Sequence, residues 1–365
     1  MHIHGGNVYK ASQVYGIKAE DILDYSANIN PLGLPEGLKE LLISGFDSIV
    51  NYPDPEYTEL KKYISGYLKV AEECIIPGNG ATEIIYLLFE TLKLKRILIP
   101  APAFDEYAQA AHAAAIETDF FELKEENNFK LVVEELLDKI RYGYDAVMLC
   151  NPNNPTSTLL SREELYKILK FTSARGIYFI IDEAFIELTV GGNGNSMKDA
   201  LVEFNNLFII RAFTKIFAVP GLRLGYGLGN AGLVKEMWNR KMPWSINSLA
   251  CSAARILENC GEYLEKTSQW LKEEKERFYR ELSSIKGLKV FEPQTNFILI
   301  KILLPSLNVG TLKDYMGKKG ILIRDASNFR FLNDKFFRVA IKDKKSNIRF
   351  QSLLKEIMES TGKLT

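Results

Sequence analysis

No excess of charge marks this chain: 46 Lys and Arg balance 46 Asp and Glu across 365 residues. Without a basic field, neither nucleic acid nor an anionic membrane surface finds an electrostatic footprint. No apolar run approaches the roughly 20 residues that cross a bilayer as a helix. Cysteine is scarce. Cys74, Cys150, Cys251 and Cys260 lie far apart, without the paired spacing of a metal site. Cys150 closes an apolar run and reads as a small buried hydrophobe. His2 and His4 have no third ligand nearby, so no metal is expected. The start, Met1-His-Ile-His-Gly-Gly, lacks the basic-then-apolar shape of a signal peptide, and a reducing cytoplasm is the expected location.

What the chain has is length and alternation. Its length suits about two domains, and 47% hydrophobic with 25% charged residues is ordinary for a globular protein. Four short, continuously apolar runs, 96–99, 146–150, 177–181 and 207–210, predict strands covered on both faces, as in a parallel sheet. Helical patterns at 82–93 and 161–173 lie between them, the second opened by a capping box at Ser161-Arg-Glu-Glu164. This βαβ alternation predicts an α/β domain, expected over 46–260. A long helical stretch over 249–284 leads into a smaller α+β domain over 261–365, with strands at 289–291, 296–302, 321–324 and 336–341 and helices at 309–318 and 347–359. Residues 1–45 are expected to pack with that domain or to reach a partner subunit. Gly191-Gly-Asn-Gly-Asn195 reads as a surface loop.

Several motifs fall just after the strands, where open α/β sheets bind ligands. They are Pro77-Gly-Asn-Gly-Ala-Thr-Glu83, Pro102-Ala-Phe-Asp-Glu-Tyr107, Asn151-Pro-Asn-Asn-Pro155, Ile181-Asp-Glu-Ala-Phe185, and a stretch from Arg211 to Tyr226 that holds Lys215 and Arg223. In this order they resemble the fold-type I, aminotransferase-like enzymes that use pyridoxal 5'-phosphate (PLP), and the resemblance runs from about residue 4 to about residue 355. It implies a large, mostly parallel-sheet α/β/α domain with a smaller C-terminal α+β domain.

The chemistry of that cofactor has physical requirements, and each finds a candidate. Its aldehyde needs an amine, and Lys215 follows a strand where a loop can aim it into the crevice. Taken alone, the residue is an ordinary surface lysine. The ring nitrogen needs a buried carboxylate to stay protonated, and Asp182 closes an apolar strand. A charge-assisted hydrogen bond there is worth roughly 1.5–3 kcal/mol, and an N-capping aspartate is the plainer reading. The phosphate needs backbone donors at a helix start and a cation. Gly80, Ala81 and Thr82, with Thr214 and Arg223, supply them, although Gly-Asn-Gly is more often a simple turn. A small hydroxyl residue that many relatives carry three positions before the lysine is here Ala212, so one phosphate hydrogen bond is expected to be missing or replaced. By resemblance Asn154 donates to the ring 3-hydroxyl, Phe104 stacks on the ring, and Tyr52 reaches the cofactor phosphate of a neighbouring subunit, which implies a homodimer with shared sites. A turn asparagine and a core phenylalanine remain the plain alternatives for Asn154 and Phe104.

Holding PLP does not choose a reaction. The bond that breaks is the one held perpendicular to the ring, so substrate orientation selects the chemistry. Arg338 matches the arginine that grips an α-carboxylate bidentately. Arg324 matches one that reads a substrate phosphate in histidinol-phosphate aminotransferases and their relatives. His4-Gly-Gly-Asn7, Tyr25-Ser-Ala-Asn-Ile-Asn-Pro-Leu-Gly33 and Lys241-Met-Pro-Trp-Ser-Ile-Asn247 resemble the L-threonine-O-3-phosphate decarboxylases of cobalamin biosynthesis. In that resemblance His4 and Asn28 contact the substrate; a solvated terminal histidine is the plainer reading of His4. Aminotransferases of this group tend to carry Tyr where this chain has Phe185, which cannot donate to the ring 3-hydroxyl. The expectation is therefore decarboxylation of a phosphorylated amino acid, L-threonine phosphate first and serine phosphate next, with Lys215, a water or a tyrosine returning a proton to Cα. An aminotransferase acting on histidinol phosphate, and a protein that holds PLP without turnover, are the alternatives.

Overall fold

A computed structural model describes residues 5–362. Thirteen strands form three sheets among the described residues. In chain order they are β1 (Leu23–Asp24), β2 (Ile75–Gly78), β3 (Arg96–Ala101), β4 (Glu117–Glu122), β5 (Ala146–Cys150), β6 (Tyr178–Asp182), β7 (Leu207–Ala212), β8 (Gly225–Leu228), β9 (Leu288–Val290), β10 (Phe297–Ile302), β11 (Ile321–Leu322), β12 (Arg324–Asp325) and β13 (Phe336–Ala340). The large sheet runs β2-β8-β7-β6-β5-β3-β4, parallel except for β8, which is antiparallel to both its neighbours. The four apolar runs read from the sequence are β3, β5, β6 and β7, and they occupy the middle of this sheet.

Alternate residues of those strands feed two cores. Leu98, Val147, Phe179, Ile181 and Ile209 face one layer of helices, and Ile97, Met148, Ile180, Phe208 and Ile210 face the other. That two-sided burial is why the runs are apolar throughout. The helix Arg162–Ser173 begins with the expected capping box, Ser161 and Glu164 each bonding the other's backbone.

The second sheet, β12-β13-β10-β9, is antiparallel. One face, with Phe297, Leu299 and Phe336, joins a core of the large sheet. The other, with Ile298, Ile300, Phe337 and Val339, packs beneath the helices Val309–Lys318 and Lys344–Gly362. The N-terminal strand β1 pairs in parallel with β11, so residues 23–24 add to this second layer.

Three sequence expectations change. The run 321–324 is not one strand but divides between β11, paired with β1, and β12, paired with β13. The stretch 249–284 is not one helix: Ser248–Ala253, a 3-10 turn over Ala254–Glu258 and the helix Gly261–Ser283 follow one another. Asn259 and Gly261 frame the break, residue types that favour turns over helix interiors. The loop at 191–195 is more than surface. Asn193 accepts from buried Arg211 and donates to the Tyr67 hydroxyl at 2.7 Å. Arg211, on β7, has no exposed surface and also pairs with Glu183 at 2.9 Å and with Glu187. This cluster ties the end of β6, which carries Asp182, to the strand that leads to Lys215. Removing one partner of a buried ion pair strands the other. Arg211→Met should therefore lower apoprotein stability in urea denaturation by about 3–5 kcal/mol; a loss below about 1 kcal/mol would show that the cluster does not hold these strands together.

Candidate active site

The carboxyl ends of the large sheet open into one cavity of about 710 Å³ that also reaches the small sheet. Lys215 lines it from the short helix Phe213–Ile216, immediately after β7. Its backbone carbonyl accepts from Asn30 N–H at 3.1 Å, and the Asn30 side chain donates to Ile216 O and Thr267 Oγ1. The Asn28-Ile-Asn30 segment is thus stapled to the lysine loop. Burial, followed by the nearby Arg338 and Arg223 charges, lowers the Lys215 pKa to about 8.

Asp182 sits at the end of β6 with 5% of its surface exposed. Burial raises its pKa, opposed by a hydrogen bond from the Tyr107 hydroxyl at 2.7 Å and another from Ala184 N–H at 2.9 Å. The Ala184 bond is a local turn contact; the next helical turn, Ile186–Leu188, has Phe185 at its N-cap, so Asp182 is not the helix cap of the plainer reading. Phe104 lines the cavity and meets Tyr107 edge-on, the ring centroids 5.6 Å apart.

At another end, Ala81 and Thr82 open the helix Gly80–Leu92 beside Thr214, Ala212 and Arg223. Gly80 does not line the cavity. It makes room: with φ +77, a Cβ there would lie 2.6 Å from an Arg223 guanidinium nitrogen. Gly225 on β8 is required similarly, since its Cβ would come within 2.4 Å of Ala81 N. These approaches bring an arginine and a helix start together, the donor set that an anion needs. Lys241 pairs with Glu83 at 2.9 Å, and the Ser245 hydroxyl bonds both. That triad anchors the 241–247 segment to the same helix.

Arg324 and Arg338 stand directly opposite each other on β12 and β13 and both line the cavity. Arg338 donates to Asn154 Oδ1 and, at 2.7 Å, to Ser26 O. Burial and the Arg324 charge push its pKa down to about 9. Arg324 donates to Asp325 O and to Asn328 Oδ1. Like charges opposed in an antiparallel pair repel, so an anion between them relieves the arrangement. Asn28 is buried against the cavity with neither side-chain nitrogen nor oxygen hydrogen-bonded, a cost that a bound polar ligand would remove. Phe185 lines the wall near Asp182 and packs edge-on against Phe297.

Of the residues singled out in the sequence, Tyr52 stands apart. It is 80% exposed, packs against Trp244 at a tilt with the ring centroids 4.8 Å apart, and does not line the cavity of its own chain. His4 lies outside the described residues. Three contributors were not singled out: Tyr107, which holds Asp182; Ser26, whose carbonyl holds Arg338; and Asp24, whose charge raises the pKa of Lys215 and Arg338 against the surrounding cations. Tyr107 lies within a motif that was read only for its phenylalanine, Ser26 precedes Asn28 in another, and Asp24 stands just before that second motif; nothing in their spacing separates them from core or turn residues. Among the described residues no group of His, Cys, Asp and Glu could hold a metal, and no helix is long and apolar enough to cross a membrane.

The residues fit PLP. An amine, a buried carboxylate, a stacking ring and an anion cradle line one cavity, and the unsatisfied amide of Asn28 faces it. A neutral amine is the form that attacks an aldehyde, and above about pH 8 Lys215 is neutral. The rate of PLP capture by the apoenzyme, followed by visible absorbance, should therefore rise with pH through a midpoint near 8; a midpoint near the ordinary lysine value of about 10.4 would contradict the burial argument.

Comparison with known proteins agrees with this geometry. A family model described as aminotransferase class I and II matches residues 20–350. A provisionally named threonine-phosphate decarboxylase of Caldanaerobacter subterraneus is 39% identical, covering 98% of this chain and 94% of that protein. The threonine-phosphate decarboxylase of Salmonella typhimurium is 34% identical, covering 97% and 96%. An adenosylcobalamin biosynthesis bifunctional protein of Leptospira interrogans is 34% identical over 98% of this chain and 41% of its own length. Among solved structures, a histidinol-phosphate aminotransferase from Clostridium acetobutylicum superposes with a TM-score of 0.87 at 37% identity, covering 93% of this chain and all of that one. Fold, site and comparisons together place the chain in the class I and II aminotransferase family of PLP-dependent enzymes.

Proposed function

We propose that this enzyme decarboxylates L-threonine O-3-phosphate, giving (R)-1-aminopropan-2-ol O-2-phosphate and CO₂ in cobalamin biosynthesis. The observation that carries the reading is the facing pair Arg324 and Arg338, buried in the same cavity as Lys215. Two fixed guanidinium groups suit a substrate with two anionic ends. The likeness to threonine-phosphate decarboxylases at 34–39% identity directs the choice among such substrates.

The residues divide the work. Arg338 grips the α-carboxylate, its geometry set by Asn154 and Ser26. Arg324 takes the substrate phosphate, with Asn28 beside it. Ala81, Thr82, Thr214 and Arg223 would hold the cofactor phosphate, Phe104 would stack on its ring, Asn154 would serve its 3-hydroxyl, and Asp182 would hold its ring nitrogen. When bound, PLP supplies an electron-accepting ring for the carbanion that CO₂ leaves at Cα. Lys215, freed by the substrate's amine, carries the proton that replaces the carboxylate. Tyr107 is a poorer donor to Cα because its hydroxyl is engaged by Asp182. Phe185 offers no phenol to the ring 3-hydroxyl, in keeping with the decarboxylase reading.

The assembly we propose is a cytoplasmic homodimer in which Tyr52 serves the partner's cofactor phosphate. An exposed apolar run, Ile43, Phe46, Ile49, Val50 and Tyr52, continues to Trp244 and supports it.

A second reading has a specific observation behind it: the 37% identity with a histidinol-phosphate aminotransferase structure. The test is CO₂ release from L-threonine phosphate by PLP-loaded enzyme without 2-oxoglutarate. Steady release is expected, abolished by Lys215→Ala. Arg324→Gln should raise KM for threonine phosphate by roughly ten- to a hundredfold, the scale of a lost charged hydrogen bond. No CO₂, with rapid amino transfer from histidinol phosphate to 2-oxoglutarate, would replace the decarboxylase with the aminotransferase.

A further inference from the structure

Tyr107 is fully buried, and its hydroxyl donates to Asp182 Oδ2 at 2.7 Å. The other carboxylate oxygen, Oδ1, accepts from Ala184 N–H at 2.9 Å. Cys150, in register with Asp182 on the neighbouring strand, directs its thiol to Pro152 O at 3.2 Å instead. Tyr107 is therefore the side chain that donates to Asp182. It comes from a separate element, the helix Glu106–Ala113, so the contact is tertiary and not a by-product of the local turn.

A carboxylate facing a pyridine nitrogen shares one proton with it, and the proton rests on the stronger base. Burial makes a carboxylate a stronger base, because its charge is poorly solvated. In the Asp182 pocket that effect works against the chemistry, since it draws the proton off the ring and leaves two neutral partners. A hydrogen bond donated to the carboxylate acts in the opposite direction. We propose that Tyr107 is a positioning residue that keeps Asp182 anionic, so that the shared proton stays on the ring nitrogen of bound PLP. The proposal rests on the cofactor assignment and not on which substrate the enzyme takes.

Tyr107→Phe removes one oxygen and keeps the ring, so the edge-on contact with Phe104 survives. Wild-type and variant enzyme are loaded with PLP labelled with ¹⁵N in the ring, and the nitrogen resonance is followed through the neutral pH range. The wild type should show a protonated ring. The variant should move towards the neutral-pyridine position, with the proton partition changed roughly tenfold or more, as the loss of a hydrogen bond to a charged group requires. In an Asp182→Asn background the same change should have no further effect, because Tyr107 acts through that carboxylate. A Tyr107→Phe enzyme with the wild-type nitrogen resonance would overturn the proposal, as would an equal displacement in the Asp182→Asn background. A wild-type protein that takes up no labelled cofactor would overturn the cofactor assignment itself, a distinct result.

Discussion

Repulsion among cations sets the terms of this site. Lys215, Arg223, Arg324 and Arg338 line one cavity, and at Arg324 and Arg338, each 6% exposed, burial withdraws the solvent that would screen them. The result is visible in the pKa values of Lys215, about 8, and Arg338, about 9, each lowered by burial and then by a neighbouring cation. Asp24 offsets part of this charge. A cofactor phosphate, a substrate phosphate and a substrate carboxylate would offset the rest. The demand for several anions in one place is the physical reason to look for a phosphorylated amino acid beside a phosphorylated cofactor.

The fold delivers these charges from separate elements. β6 and β7 end side by side and present Asp182 and the Lys215 loop, held in relation by the buried pairs of Arg211 with Glu183 and Glu187. The small sheet contributes Arg324 and Arg338 from adjacent strands. The N-terminal segment joins both, pairing β1 with β11, bonding the Lys215 carbonyl through Asn30, and offering Ser26 O to Arg338. Arg338 is thus positioned by contacts distant in sequence, whereas the hydrogen bonds of Arg324 to Asp325 and Asn328 stay within four residues.

That separation explains what could be read in advance. The strands β3, β5, β6 and β7 were legible because a sheet covered on both faces writes continuous apolar runs. Lys215, Asp182, Asn154 and Arg223 could be singled out because the cofactor imposes one chemical requirement on each, in a recognisable order, and the fold brings all four to one cavity. Arg211 was not legible as a buried ion-pair centre: four residues before the lysine, in an otherwise apolar strand, it carries no mark of the carboxylates that reach it from 183 and 187. Tyr107 was not singled out because its acceptor lies 75 positions away. The break near Asn259 was hidden inside an otherwise sustained helical pattern. The loop at 191–195 has the composition of a solvated turn, yet Asn193 turns inward to Arg211.

On the proposed reading the arginine pair turns the Cα–carboxylate bond, and not the Cα–hydrogen bond, towards the electron-accepting ring. The two bonds leave different isotopic records. With L-threonine phosphate carrying deuterium at Cα, mass spectrometry of the product reads the outcome after turnover in ordinary water. The account predicts aminopropanol phosphate that retains the Cα deuterium and has gained one solvent proton. Loss of that deuterium to water, with a keto acid phosphate as the product, would show that the Cα–hydrogen bond is the one the site exposes, and would contradict it.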